Sequence, residues 1–297
     1  MTTYSFTKMH GLGNDFVLID LRETTLDLTP ERVKILADRR FGIGCDQLIV
    51  LEKPRNPEAH VFMRIYNADG NEAGACGNGT RCIGSLISRE RQSPSAVIET
   101  REGLLYSTLL EDGRVCVDMG KPRFDWQSIP LSQECDTANL PIEQGILSKP
   151  FGVSMGNPHM VFFVPHVDGI DVHNLGRILT KHPLYREGAN VEIVEVLDDQ
   201  TLKVRVYERG VGITMACGTG ACASAVAAYH RGHVQKDCRV LLDGGSLDIS
   251  YEDTVKITGT VAFTYQGTFD ASLWTQQTPK NPVDLENTST SSPSAAA

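Results

Sequence analysis

Apolar and polar residues alternate over two well-separated stretches of the chain. In His60–Asn67 the residues Val61, Met63 and Ile65 fall on one side, and in Thr201–Glu208 so do Leu202, Val204 and Val206. A period of two is that of a strand with one buried face. A glycine-rich turn follows each stretch, and the period then changes to that of a helix. The first helix is expected over about Asn78–Arg91, with Cys82, Ile83, Leu86 and Ile87 on one face. The second, about Thr219–Arg231, carries Ala and other small residues on every side and stops at Gly232. A helix that is small all round is buried, here inside a wrapping sheet. Glu111-Asp112-Gly113-Arg114 and Asp243-Gly244-Gly245-Ser246 are hairpin signals between strand-like runs. A peripheral helix is expected from Thr29 as N-cap, with Pro30 and Glu31 in its first turn, to about Arg39. From Gln276 to Ala297 the chain is rich in Thr, Ser, Pro and Asn with almost no apolar content, which predicts disorder.

The same grammar occurs twice because the chain repeats itself. Gly13-Asn14 returns 143 positions on as Gly156-Asn157, and Gly44 through Val50 is echoed by Gly188 through Val194, with Gln47 and Asn190 likewise 143 apart. Arg64-Ile65-Tyr66-Asn67 returns as Arg205-Val206-Tyr207-Glu208, and Ala75-Cys76-Gly77-Asn78-Gly79 as Ala216-Cys217-Gly218-Thr219-Gly220, both 141 positions on. Four matches in one order at nearly one spacing describe two copies of a unit of roughly 120 residues. The predicted class is α+β: two pseudo-repeat domains, each a mostly antiparallel sheet wrapped around a central helix, with a site in the cleft between them. The boundaries expected are 1–120 with a returning segment at about 266–275, then 121–265, then the tail 276–297.

At 297 residues and 41% hydrophobic content the chain has enough material for two such cores. A formal charge of −9 argues against nucleic acid, whose phosphates call for a basic face, and does not oppose a small zwitterion. No signal-peptide pattern opens the chain and no apolar run of membrane-spanning length occurs, so a cytoplasmic location is expected. The eight cysteines are spaced wrongly for zinc, which favours C-x2-C pairs or nearby His, so no metal is expected. Most of them read as small buried hydrophobes.

Two of the eight are different. Cys76 and Cys217 each open a Cys-Gly-x-Gly turn at the start of a helix, where free N–H groups and the helix dipole favour negative charge. Such a position is expected to lower a thiol's pKa and to cradle a carboxylate. A single such turn is unremarkable; two turns related by a repeat would meet at the domain interface, where ligand sites concentrate. Two thiols facing one carbon are what stereoinversion needs, one removing a proton while the other delivers one to the opposite face. The α-proton of an amino acid is weakly acidic, so helix N-termini would have to stabilise the carbanion in a closed cavity. No lysine stands in a setting that suggests a Schiff base, and no cofactor is expected.

Four segments then carry a resemblance: Met9 to Phe16; Asn67-Ala68-Asp69-Gly70 running into Ala75 to Cys82; Met155-Gly156-Asn157-Pro158-His159; and Glu208-Arg209-Gly210 through Ala216 to Cys222. Together they resemble diaminopimelate epimerase, over about residues 4 to 275 and in that family's order. The resemblance implies interconversion of LL- and meso-diaminopimelate in lysine and peptidoglycan-precursor biosynthesis, with Cys76 and Cys217 exchanging the roles of proton donor and acceptor. It implies that Gly77, Asn78, Gly218 and Thr219 offer donors to the reacting carboxylate. Asn14, Gln47, Asn67, Asn157, Asn190, Glu208 and Arg209 would hold the remaining amino and carboxylate groups, as a substrate with an amino acid at each end requires. His159 would lie near the thiols and tune them, and Tyr265 matches a position that the family uses to form a homodimer. Taken alone, His159 reads as a satisfied loop histidine and Tyr265 as a strand aromatic. One departure stands out: Gly212-Ile213-Thr214 occupies a place where Gly-Glu-Thr is more usual, which bears on fine substrate preference. The rival readings are another two-thiol racemase, a phenazine-type isomerase, against which the cysteine pair counts, and a non-catalytic amino-acid-binding protein.

Overall fold

The computed structural model describes residues 2–74 and 76–275, so the segment 276–297 expected to be disordered lies outside the described residues. The two alternating stretches are strands, Val61–Asn67 and Thr201–Glu208, with the expected apolar residues buried. The peripheral helix α1 spans Pro30–Ala37, its Thr29 cap accepting from the Arg32 N–H. Helix α2 spans Gly77–Arg91 and buries Cys82, Ile83 and Ile87. Helix α3, Val172–Leu179, occupies in the second half the place of α1 and is a helix that the hydrophobic pattern did not single out. Helix α4, Gly218–His230, is buried on all sides from Ala221 to Ala228.

Each half lays down its strands in the same sequence of pairings. In the first, Asn14–Asp20 runs parallel to Gln47–Glu52, which pairs antiparallel with Val61–Asn67; that strand runs parallel to Ser95–Thr100, which hairpins into Gly103–Leu109 and on to Val115–Asp118. In the second, Pro158–Val164, Asn190–Asp198, Thr201–Glu208, Asp237–Leu242, Gly245–Tyr251 and Val255–Gly259 repeat that path with the same senses. The sheets are mostly antiparallel as expected, with two parallel pairs per half. A parallel neighbour requires the chain to cross over, and the four crossovers are where α1, α2, α3 and α4 lie.

The two sheets join at a single seam, Val115–Asp118 against Val255–Gly259. At the tight turn between Gly103–Leu109 and Val115–Asp118, Gly113 adopts φ 82°, a left-handed value suited to glycine. The last strand, Ala262–Asp270, returns to the first half and pairs with Thr3–His10 from its beginning. The exchange therefore starts at Ala262, inside the segment that the sequence placed in the second domain. Deleting Ile83 or Ile87 back to Ala in the first core would cost about 2–5 kcal/mol, as both are fully buried.

Candidate active site

Cys76 and Cys217 are the N-caps of α2 and α4. Each sulfur accepts from an N–H three residues on, Gly79 at 3.4 Å and Gly220 at 3.3 Å. The two first turns meet: a Cβ built on Gly218 would lie 3.4 Å from the Gly77 Cα. A Cβ at either glycine would already touch the opposite helix start, the one on Gly77 lying 3.7 Å from the Gly218 Cα. The repeat thus brings two equivalent N-termini to the floor of one cleft.

That cleft holds about 390 Å³. Its walls include Asn14, Gln47 and Asn67 from the first half, Asn157, Glu208 and Arg209 from the second, and the helix starts at Gly77, Asn78, Gly218 and Thr219. A larger hollow of about 470 Å³, lined by Gln200, Arg239 and Asp248, is bordered by neither capping cysteine. Of the residues expected at the site, Asn190 is not on the wall. It is buried behind it, where its Oδ1 accepts from the Arg209 N–H at 2.9 Å. His159 is also behind the wall, fully buried, and Tyr265 is remote on the last strand.

The amides are held in a fixed order. The Gln47 Nε2 donates to Asn67 Oδ1 at 2.9 Å, and the Gln47 Oε1 is buried without a protein partner, an acceptor left for a ligand donor. Asn78 Nδ2 donates to Asn14 Oδ1 at 3.1 Å and to the Ala216 carbonyl at 2.8 Å, tying the halves together. Asn14 Nδ2 donates to Asp46 at 3.0 Å, and Arg39 bridges Asp46 and Asp15 from the rim. Asp46 is a wall residue that sequence reasoning missed, although it sits next to Gln47 in the echoed segment.

Behind Cys217 the site is acidic. The His159 Nδ1 lies 2.7 Å from Glu192 Oε1 and its Nε2 lies 2.9 Å from Asn157 Oδ1. Glu208 accepts from the Thr214 hydroxyl. Burial pushes the carboxyls of Glu192 and Glu208 above the ordinary range. Sequence reasoning missed Glu192 and Thr214; the signal for Glu192 is an acid flanked by the apolar Val191 and Ile193 in the strand Asn190–Asp198.

The thiols themselves depart from expectation. Burial pushes Cys76 up to about 11, against the N–H of Gly79, which favours the thiolate. It also raises Cys217, with Glu208 and then Glu192 adding to the effect. The expected lowering by the helix start is present and is outweighed, because desolvation penalises a thiolate by more than one backbone donor returns. All eight cysteines are free.

The model of one family, diaminopimelate epimerase, matches residues 6–125 and 151–264. The chain belongs to the diaminopimelate epimerase family. Curated diaminopimelate epimerases resemble it along most of their length. That of Rhodospirillum centenum is 46% identical over 270 residues, 90% of this chain and 93% of its own. That of Rhizorhabdus wittichii is 49% identical over 247 residues, 83% of this chain and 87% of its own. Among solved structures, a phenazine biosynthesis protein of the PhzF family from Bacillus anthracis shares the fold at a TM-score of 0.64 and 18% identity, covering 91% of this chain and all of that one. A hydroxyproline epimerase from Agrobacterium vitis does so at 0.64 and 12%, covering 92% and 94%.

The Gly212-Ile213-Thr214 segment lies at the edge of the cleft. Val211 and Thr214 line the cleft, whereas Ile213 is 43% exposed outside it. Ile213 is therefore an apolar group at the surface, off the wall of the cleft.

Proposed function

We propose that this isomerase interconverts LL- and meso-diaminopimelate, with Cys76 and Cys217 as the opposed acid–base pair. The observation that carries this is the meeting of the two thiol-capped helix starts at Gly77 and Gly218. A carboxylate set over both starts receives the free N–H groups of each, which favours charge developing at the adjacent carbon. One sulfur takes the α-proton as the C–H bond breaks, and the other sulfur gives its proton to the opposite face. Asn67, Gln47 and Arg209 suit the distal amino and carboxylate groups. His159, with Glu192, acts on the Cys217 side from behind the wall.

The test is incubation of LL-diaminopimelate with the protein in deuterated water, without added pyridoxal phosphate. Deuterium should enter at one α-carbon together with inversion. Saturable binding without exchange would make the chain a binding protein. Exchange confined to proline or a basic amino acid would make it a racemase of another substrate.

We further infer a cytoplasmic homodimer of two-domain subunits. Eight free thiols suit a reducing compartment, and among the described residues no helix is long and apolar enough to cross a membrane. Phe263 and Tyr265 are about half exposed on the last strand, whose outer edge has no strand partner among the described residues. The pairing of that strand favours a division at about residue 120 and at residue 261, with 262–275 belonging to the first domain.

A further inference from the structure

Arg81 is the largest fully buried side chain, and among the described residues no carboxylate pairs with it. Its Nη2 donates to Asn78 Oδ1 at 2.7 Å, while Nε and Nη1 have no protein partner. The guanidinium lies in a slot between strands of both halves: a Cβ on Gly11 would come 3.2 Å from Nη2, and one on Gly259 would come 3.3 Å from Nε. Arginine does not surrender its proton, so the fold seals a positive charge here. An unpaired buried charge is costly, and its retention calls for a countercharge.

The groups that face Arg81 are thiols: Cys82 on its own helix, Cys76 at the cap of that helix, and Cys222 on α4. Cys82 and Cys222 are fully buried in apolar packing, their thiols pushed up to about 12. Cys76 alone of the three opens to the cleft. It is also connected through hydrogen bonds: its thiol donates weakly to Asn14 Oδ1 at 3.8 Å, Asn78 donates to the same oxygen, and Arg81 donates to Asn78.

The repeat makes the asymmetry plain. The offset of 141 that carries Cys76 onto Cys217 carries Arg81 onto Cys222, so only the first half has a cation. The offset of 143 carries Phe16 and Ile49 onto His159 and Glu192. A Cβ on Gly79 would meet Ile49 at 2.9 Å, whereas one on Gly220 would meet Glu192 Oε1 at 2.8 Å. One thiol has a buried cation behind it, and the other has carboxylates.

We infer that Arg81 is a positioning residue for the acid–base pair: its fixed guanidinium is the countercharge that holds the negative charge of the site on Cys76 and leaves the proton on Cys217. This rests on the proposed roles of the two cysteines. In the direction where Cys76 abstracts, its S–H bond forms as the substrate's C–H bond breaks. The Cys217 S–H bond breaks as the opposite C–H bond forms, and the charge ends on Cys217. Glu208 also acts on Cys76, with the opposite sign and a larger effect than Arg81, so the guanidinium offsets part of that carboxylate's influence.

The experiment alkylates Cys76 with iodoacetamide between pH 8 and 10, mapped by mass spectrometry, alongside kcat and KM. In Arg81→Met the Cys76 rate on the rising limb should fall about tenfold, a shift of about one pH unit. The value of kcat should fall with it while KM changes less than about threefold. Arg81→Lys should restore most of the rate. A folded Arg81→Met with an unchanged Cys76 limb overturns the inference, whatever its activity. Should Arg81→Met not fold, the unmodified enzyme decides the matter. With 15N-arginine label, the Arg81 Nε resonance should titrate with Cys76 and stop moving in Cys76→Ala; a resonance indifferent to Cys76 overturns the inference. Full turnover by Cys76→Ala would instead remove the proposed cysteine roles themselves.

Discussion

His159 and Glu192 form a sealed pair behind Cys217, with Nδ1 2.7 Å from Oε1 and neither side chain reaching solvent. The second carboxyl oxygen, Oε2, has no hydrogen-bond partner. The pair sits on neighbouring parallel strands, Pro158–Val164 and Asn190–Asp198, where His159 is directly opposite Asn190. Glu192 acts on Cys217 strongly because both are buried, where charges are screened less than in water. Glu192 thereby disfavours the Cys217 thiolate.

Removing that charge should have a definite sign. In Glu192→Gln the Cys217 thiol loses a neighbouring anion, so its thiolate becomes easier to form. Iodoacetamide labelling of Cys217 should move to lower pH by about half a unit to one unit. In the unaltered protein, labelling of Cys76 should still be climbing at pH 10, since burial holds that thiol near 11. A Cys76 midpoint below 8 would contradict the dominance of desolvation.

Replacing either cysteine by Ala should abolish inversion, by about a thousandfold or more, because each face of the carbon needs its own proton group. Circular dichroism should be unchanged, since the cap hydrogen bond is a single weak one to sulfur. Turnover near that of the unaltered protein in either variant would end the two-thiol reading.

Equivalent glycines in the repeat should not be equally tolerant. Gly79→Ala presses on the Cδ1 of Ile49, the movable end of a side chain, at 2.9 Å. Gly220→Ala presses on Glu192 Oε1 at 2.8 Å and on the Cys217 sulfur at 3.3 Å. The first should cost under about 1 kcal/mol and the second about 2–3 kcal/mol, read from denaturant midpoints. Equal losses would mean that the His159–Glu192 pair yields as readily as a methyl group.

In the proposed homodimer Tyr265 would be buried against the second subunit. It packs edge-on against Phe6 at 5.9 Å between ring centres, and Phe263 stands two residues away on the same strand. Sedimentation should show a dimer, and Tyr265→Glu should yield a folded monomer. A monomeric unaltered protein would remove this assignment.

The sequence by itself determined what local patterns can carry. Alternation marked Val61–Asn67 and Thr201–Glu208, small residues on all sides marked α4 as buried, and the doubled Cys-Gly-x-Gly turns marked the floor of the cleft. Each of these is written in a few neighbouring residues. Helix α3 escaped because its eight residues are short and half polar, and it is fixed by packing of Val172, Gly176 and Leu179 rather than by a long apolar stripe. The parallel pairings and the early return at Ala262 escaped because strand partners are set by contacts between distant segments. The thiol acidities were decided only by the tertiary structure. A helix start lowers a pKa through its own first turn, which a sequence shows. Desolvation and the charges of Glu192 and Glu208 come from other elements of the fold, and in a buried cleft they outweigh it.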